Sequence, residues 1–146
     1  MRLPFTWPRL AAIAGAALLA CGGAAGASPV LFKAELSAAS EVPPNDSKGT
    51  GSVEATYDPD TRALTWKGSI SGLTGPATAA HFHGPAPAGK NASVVIPISG
   101  AEKGSFQGSA TLTNEQSADL LAGQWYVNIH TAAHTAGEIR GQLLRQ

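Results

Sequence analysis

The chain contains four histidines, and they fall into two short clusters, His81-Phe82-His83 and His130-Thr131-Ala132-Ala133-His134. Residues i and i+2 of a β-strand share a face, so in an extended segment His81 and His83 point one way and Phe82 the other. With Phe82 turned to a core, both imidazoles stand on the outer surface of the sheet. His130 ends a second alternating run, in which Trp125, Val127 and Ile129 form an apolar face and Gln124, Tyr126, Asn128 and His130 a polar one. Thr135-Ala136-Gly137 then turns the chain, leaving His134 in a loop able to fold back. Two such strands side by side gather three or four neutral imidazoles, donors suited to Cu(II), Zn(II) and Ni(II). Strand-borne ligands at i and i+2 can take adjacent positions of a square-planar or tetragonal site, which favours copper, whereas zinc prefers a tetrahedron. The spacing therefore predicts a metal site built from His81, His83, His130 and His134, with copper as its ion. The competing reading is a set of surface histidines on polar strands.

Other chemistry finds little support. There is no G-x-S-x-G, no nucleophilic Cys in the region after the N-terminus and no recognisable pair of catalytic carboxylates. Asp58-Pro59-Asp60 reads as a turn. No glycine-rich phosphate loop opens a helix, which argues against nucleotide binding. Two further polar residues stand out. Glu41 precedes the rigid Val42-Pro43-Pro44, and Arg140 lies in Glu138-Ile139-Arg140-Gly141-Gln142. The simpler reading makes Arg140 half of a structural ion pair, with Glu41 or Glu138; the functional one sets it near the imidazoles, where it would draw anions.

The elements that must position these residues have a period of two almost throughout. Alternation predicts strands near residues 31–36, 52–57, 64–70, 78–83, 94–98, 106–112, 125–130 and 138–144, with Pro97 marking an edge strand. One helical signal interrupts them: Thr113-Asn114-Glu115-Gln116 resembles a capping box, Leu120 and Leu121 follow, and Gly123 is a stop. About eight short strands with regular turn signals and one short helix predict an all-β fold, an antiparallel Greek-key sandwich or barrel of the immunoglobulin-like or superoxide-dismutase-like kind.

At 146 residues the chain suits one domain, and 43% hydrophobic residues are enough for a core. Basic and acidic residues balance at ten each, with no basic run, which argues against nucleic acid as a partner. The first residues read as an export signal: Arg2 and Arg9, then an uncharged apolar run from Leu10 to Ala20, too short for a membrane span. Two exits stay open. Cleavage after Ala25-Gly26-Ala27 makes residues 1–27 a signal peptide and residues 28–146 the mature domain. Alternatively, Leu18-Leu19-Ala20-Cys21 is a lipobox, with residues 1–20 removed and Cys21 lipidated as a membrane anchor. Either exit predicts a periplasmic or extracellular protein. Cys21 is the only cysteine, so the domain holds together by packing, or by packing plus a metal, without an intrachain disulfide.

Ser40-Glu41-Val42-Pro43-Pro44, Ala79-Ala80-His81-Phe82-His83-Gly84-Pro85-Ala86, Trp125-Tyr126-Val127-Asn128-Ile129-His130-Thr131 and Gly137-Glu138-Ile139-Arg140-Gly141-Gln142 together resemble the CHRD domain, the family named after chordin. The resemblance runs from about Leu31 to Leu144 and implies an extracellular-type β-domain of loosely defined function. A second, weaker similarity is to copper/zinc superoxide dismutase, a Greek-key sandwich with an HxH on one strand and a later copper-binding His. That similarity implies His81, His83 and His130 as copper ligands, with His134 as a fourth and Arg140 guiding anions. The disulfide and the zinc loop of that enzyme have no counterpart here, and fold analogy does not establish activity. Three functions follow as expectations: an exported copper-binding protein for storage, buffering or delivery; a copper-only dismutase; and a metal-free module that docks a protein partner.

Overall fold

In a computed structural model of the chain, residues 26–146 are described here. Residues 1–25, which hold Cys21 and all but the last two residues of the expected 1–27 signal segment, lie outside them.

Alternation produces strands where it is strict. β1 (Val30–Ser37) turns Val30, Phe32, Ala34 and Leu36 inward, and β2 (Thr50–Asp58) does the same with Val53, Ala55 and Tyr57. β3 (Ala63–Ser71) contributes Leu64 and Trp66, and β4 (Ala77–His83) contributes Ala80 and Phe82. β5 (Val94–Pro97) is an edge strand, as Pro97 implies, and β6 (Ser105–Thr111) is the other edge. Helix α1 (Asn114–Leu121) opens with the full capping box: the Thr113 hydroxyl accepts from the Gln116 amide, and the Gln116 side chain accepts from the Thr113 amide. Gly123 follows with φ +71°, the left-handed conformation that ends a helix most easily at glycine.

The final expected strand divides. β7 (Tyr126–Thr131) is followed by β8 (Ile139–Gln142) and a separate β9 (Leu144–Arg145). The break falls at Leu143, which is fully buried and whose amide donates to Trp125 O, so the chain leaves β7 there and crosses to pair with β1.

All pairings are antiparallel, in the order β5-β4-β7-β8-β1-β2-β3-β6, with β9 also on β1. The chain leaves β3 for β4 on the opposite wall, and the sheet curls until those walls meet. The Trp66 and Phe82 rings pack edge to face at 5.1 Å between centroids, and Trp125 lies 5.9 Å beyond Phe82. The result is an almost closed eight-strand barrel filled by Phe32, Leu64, Phe82, Trp125, Val127, Ile129 and Ile139. No helix among the described residues is long and apolar enough to cross a membrane.

Candidate metal centre

β4 and β7 are neighbours, with His81 opposite Asn128 and Ala79 opposite His130. Since Phe82 and Ile129 fill the core, His81, His83 and His130 all project from the outer face of the same strand pair. One ring nitrogen from each lies within 4.8 Å of the others. His81 Nδ1 is 3.3 Å from His130 Nε2. Bonds of about 2 Å to a shared ion hold two donors no more than about 4 Å apart. The closest pair therefore already has the spacing of co-ligands, and the widest must close by roughly 1 Å.

The second nitrogens are held from behind. His83 Nδ1 is 3.0 Å from Ala92 O, and His130 Nδ1 is 2.9 Å from Thr135 O. A carbonyl only accepts, so these nitrogens carry the protons and Nε2 of both rings presents a lone pair. Imidazole anchored by one N–H to a backbone carbonyl is the usual arrangement behind a metal ligand. His83 Nε2 is buried and has no hydrogen-bond partner. A buried acceptor without a partner, on one of three converging imidazoles, fits a metal ion. Burial pushes the His81 and His83 pKa values down, and the neighbouring imidazoles push them further. For His83 the nearby Arg140 adds to the fall, while the hydrogen bond to Ala92 O opposes it. Both rings are thus kept in the neutral form that metal ligation requires.

His134 is not among the converging rings. Its backbone instead closes the β7–β8 turn, its carbonyl accepting from the Thr131 and Gly137 amides.

The outer face here is not the open surface that alternation suggested. Residues 84–93 fold across it as a roof over Tyr126 and Arg140, both buried, and Asn128 beside them is buried against Glu41. Arg140 is 2% exposed. Its guanidinium donates to Asn91 Oδ1 (2.8 Å) and Lys90 O, and its Cζ stands 3.4 Å from the Tyr126 ring centroid. The guanidinium is therefore committed to the roof rather than open to passing anions. The other flank of Tyr126 stacks on His83, 4.9 Å between centroids and 3° from parallel.

Neither expected ion pair of Arg140 forms as a direct contact; the contacts within salt-bridge range, among the described residues, are Lys33–Glu35 and Lys67–Glu54. Glu41 accepts from Asn128 Nδ2 and feels Arg140 at longer range. Burial dominates and raises its pKa to about 7, against the opposing pull of Arg140 and the hydrogen bonds of Asn128 and Val42. Glu138 lies elsewhere, at the end of the barrel. Its carboxylate accepts from Ser47 Oγ, Thr74 N, Thr74 Oγ1 and Thr131 Oγ1. Burial alone would raise its pKa, but these donors outweigh it and hold it at about 2.

The roof and its anchors escaped the sequence reading. Tyr126 carried a signal, an aromatic on the polar face of a strand, but Ala92 and Thr135 act through carbonyls that leave no side-chain trace.

A curled antiparallel sheet with three converging imidazoles, one of them beneath a roof, is the class of domain that the geometry defines. The chain matches the model of the CHRD domain over residues 32–143 and belongs to that family. Neither a search of curated proteins nor one of solved structures returned a match.

Proposed function

We propose that this protein is an exported CHRD-domain protein that binds Cu(II) through His81, His83 and His130, in copper storage, buffering or delivery. The observation that carries the reading is the convergence of three ring nitrogens within 4.8 Å, two of them backed by backbone carbonyls. An all-imidazole donor set suits copper, which also stands highest among the divalent first-row metals in affinity. In the metal-free protein His81 Nδ1–H donates to the bare His130 Nε2. Moving that proton to His81 Nε2 frees both lone pairs for one ion. The charged N-terminus and apolar run of the sequence support export, and residues 28–146 are the mature domain on the cleaved route.

Titration of the purified protein with Cu(II), followed by electron paramagnetic resonance with a competing chelator, tests the proposal. One copper per chain with nitrogen hyperfine structure is expected. His83→Ala should weaken binding by at least 100-fold, while His134→Ala should leave it within about threefold. Copper binding that is weak and indifferent to His81→Ala plus His83→Ala would overturn the reading and leave the interaction module. The lowered His81 and His83 pKa values keep the site deprotonated below the ordinary value near 6.5, so copper is held at pH 6.5 and released as acid protonates the rings. Retention at about pH 4 would point to carboxylate ligands instead. A superoxide-decay assay on the loaded protein separates a dismutase from a carrier.

A further inference from the structure

The imidazole of His83 does not hold its own orientation. Its Nδ1–H is fixed by Ala92 O, and the Ala92 peptide is fixed in turn by Tyr126, whose hydroxyl accepts from Ala92 N (3.0 Å) and donates to Ala92 O (3.3 Å). Tyr126 is clamped from the β8 side by the Arg140 guanidinium, which also ties down the preceding two residues of the roof through Lys90 O and Asn91 Oδ1. Asn91 continues the chain to Val42 O. β7 lies between β4 and β8, so His83 and Arg140 press on the phenol ring from opposite flanks.

We propose that Arg140 and Tyr126 are positioning residues: together they hold the roof so that the Ala92 carbonyl fixes His83 in the Nδ1–H tautomer and aims its bare Nε2 into the three-imidazole cluster. The value of this arrangement to metal binding rests on the copper reading above, but the tautomer itself is a property of the metal-free chain. A neutral histidine side chain in water prefers the proton on Nε2. Without the carbonyl, His83 shifts toward the Nε2–H tautomer, which must move that proton to Nδ1 before Nε2 can ligate. The arrangement also gives Arg140 a task that needs no access to solvent, in keeping with its burial.

The test is the two-bond 1H–15N correlation spectrum of the imidazoles in 15N-labelled, metal-free protein. The wild type should show His83 as the Nδ1–H tautomer. Tyr126→Phe keeps the ring stack and removes both hydroxyl contacts; Arg140→Lys keeps the charge and removes the forked contact with the roof. Each should shift His83 toward a tautomer mixture, with Tyr126→Phe the larger because it acts on Ala92 directly. Backbone amide spectra check that both variants keep the fold, and Tyr126→Phe alone carries the test if Arg140→Lys does not. Copper affinity should fall by 10–100-fold in parallel. An unchanged His83 tautomer in a folded Tyr126→Phe protein overturns the proposal. A shifted tautomer in a protein that never binds copper retains the positioning role and removes the metal reading instead.

Discussion

The two halves of the barrel treat their outer faces differently. In β1, β2 and β3 inward residues are buried and outward ones meet solvent, so Lys33, Glu35, Glu54 and Lys67 form exposed pairs across an open wall. Around β7 and β8 both faces are buried: Trp125, just before β7, with Val127 and Ile129 goes inward, while Tyr126 and Arg140 are covered by the roof and Asn128 by Glu41. A covered outer face made of polar side chains must satisfy every one of them internally. Asn128 reaches Glu41, Arg140 reaches Lys90 and Asn91, and Tyr126 reaches Ala92. On this wall His83 Nε2 and Gln142 Oε1 are the buried polar atoms left without a partner. The contrast teaches where to look for function: on the wall that gives up solvent without giving up polarity.

The sharpest way to break the covered half is through Glu138, which ties the 44–49 and 72–76 loops to β7 and sits in the turn that supplies Thr135 to His130. Glu138→Ala leaves four donors without their acceptor, the buried Thr131 hydroxyl among them, and should cost about 3 kcal/mol in urea unfolding. The acid behaviour has a definite sign. The folded pKa of about 2 lies below the ordinary carboxylate value, so the stabilisation is complete above about pH 4.5 and drains away as pH falls toward 2. The variant should lose that part of the acid sensitivity. An equal fall in stability for variant and wild type between pH 5 and 3 would contradict this role.

Glu41 offers the opposite sign. Its folded pKa of about 7 lies above the ordinary value, so its contribution is present below about pH 4.5 and is lost as pH rises through 7. Glu41→Gln keeps an acceptor for Asn128 and removes the buried charge. It should raise stability at pH 7.5 by about 1 kcal/mol and flatten the profile between pH 5 and 7.5. Thermal melts across that range decide it; a destabilised Glu41→Gln protein at pH 7.5 would mean that the carboxylate charge is needed against Arg140. Room here is tight, since a Cβ on Gly137, itself at φ +132°, would stand 2.7 Å from Glu41 Oε1 and closer still to Asn128 Nδ2.

These residues also mark how far the sequence could be read. Strict alternation in β1 to β4 and the Thr113 capping box locate their elements within a residue or two, because one buried face leaves a periodic trace. The same rule, applied to His81-Phe82-His83 and to His130, puts three rings on one face, and the neighbouring of β4 and β7 brings them together. Where both faces are buried the pattern loses its meaning. The roof is read only as a Gly/Pro stop because its contacts run through the carbonyls of Lys90 and Ala92. His134 is near His130 in sequence, yet its backbone closes a turn and its ring stands apart from the group. Glu138 precedes the first laddered residue, Ile139, so alternation does not govern its direction.

The open wall supplies the smallest effect and the control for all the others. Lys67 and Glu54 sit opposite each other in the β2–β3 ladder, 3.0 Å apart between Nζ and Oε2, with side chains 74% and 56% exposed. Glu54 is held below the usual carboxylate range by the hydrogen bond and charge of Lys67. Solvent and salt screen such a pair, so Lys67→Ala should leave unfolding stability almost unchanged and the proposed copper binding unaltered. Denaturant unfolding at low and high salt, alongside the copper titration, gives both readings. A Lys67→Ala protein that loses copper affinity would mean that the open wall communicates with the imidazoles through the core. In that case the division between a solvated scaffold wall and a roofed functional wall would have to be withdrawn.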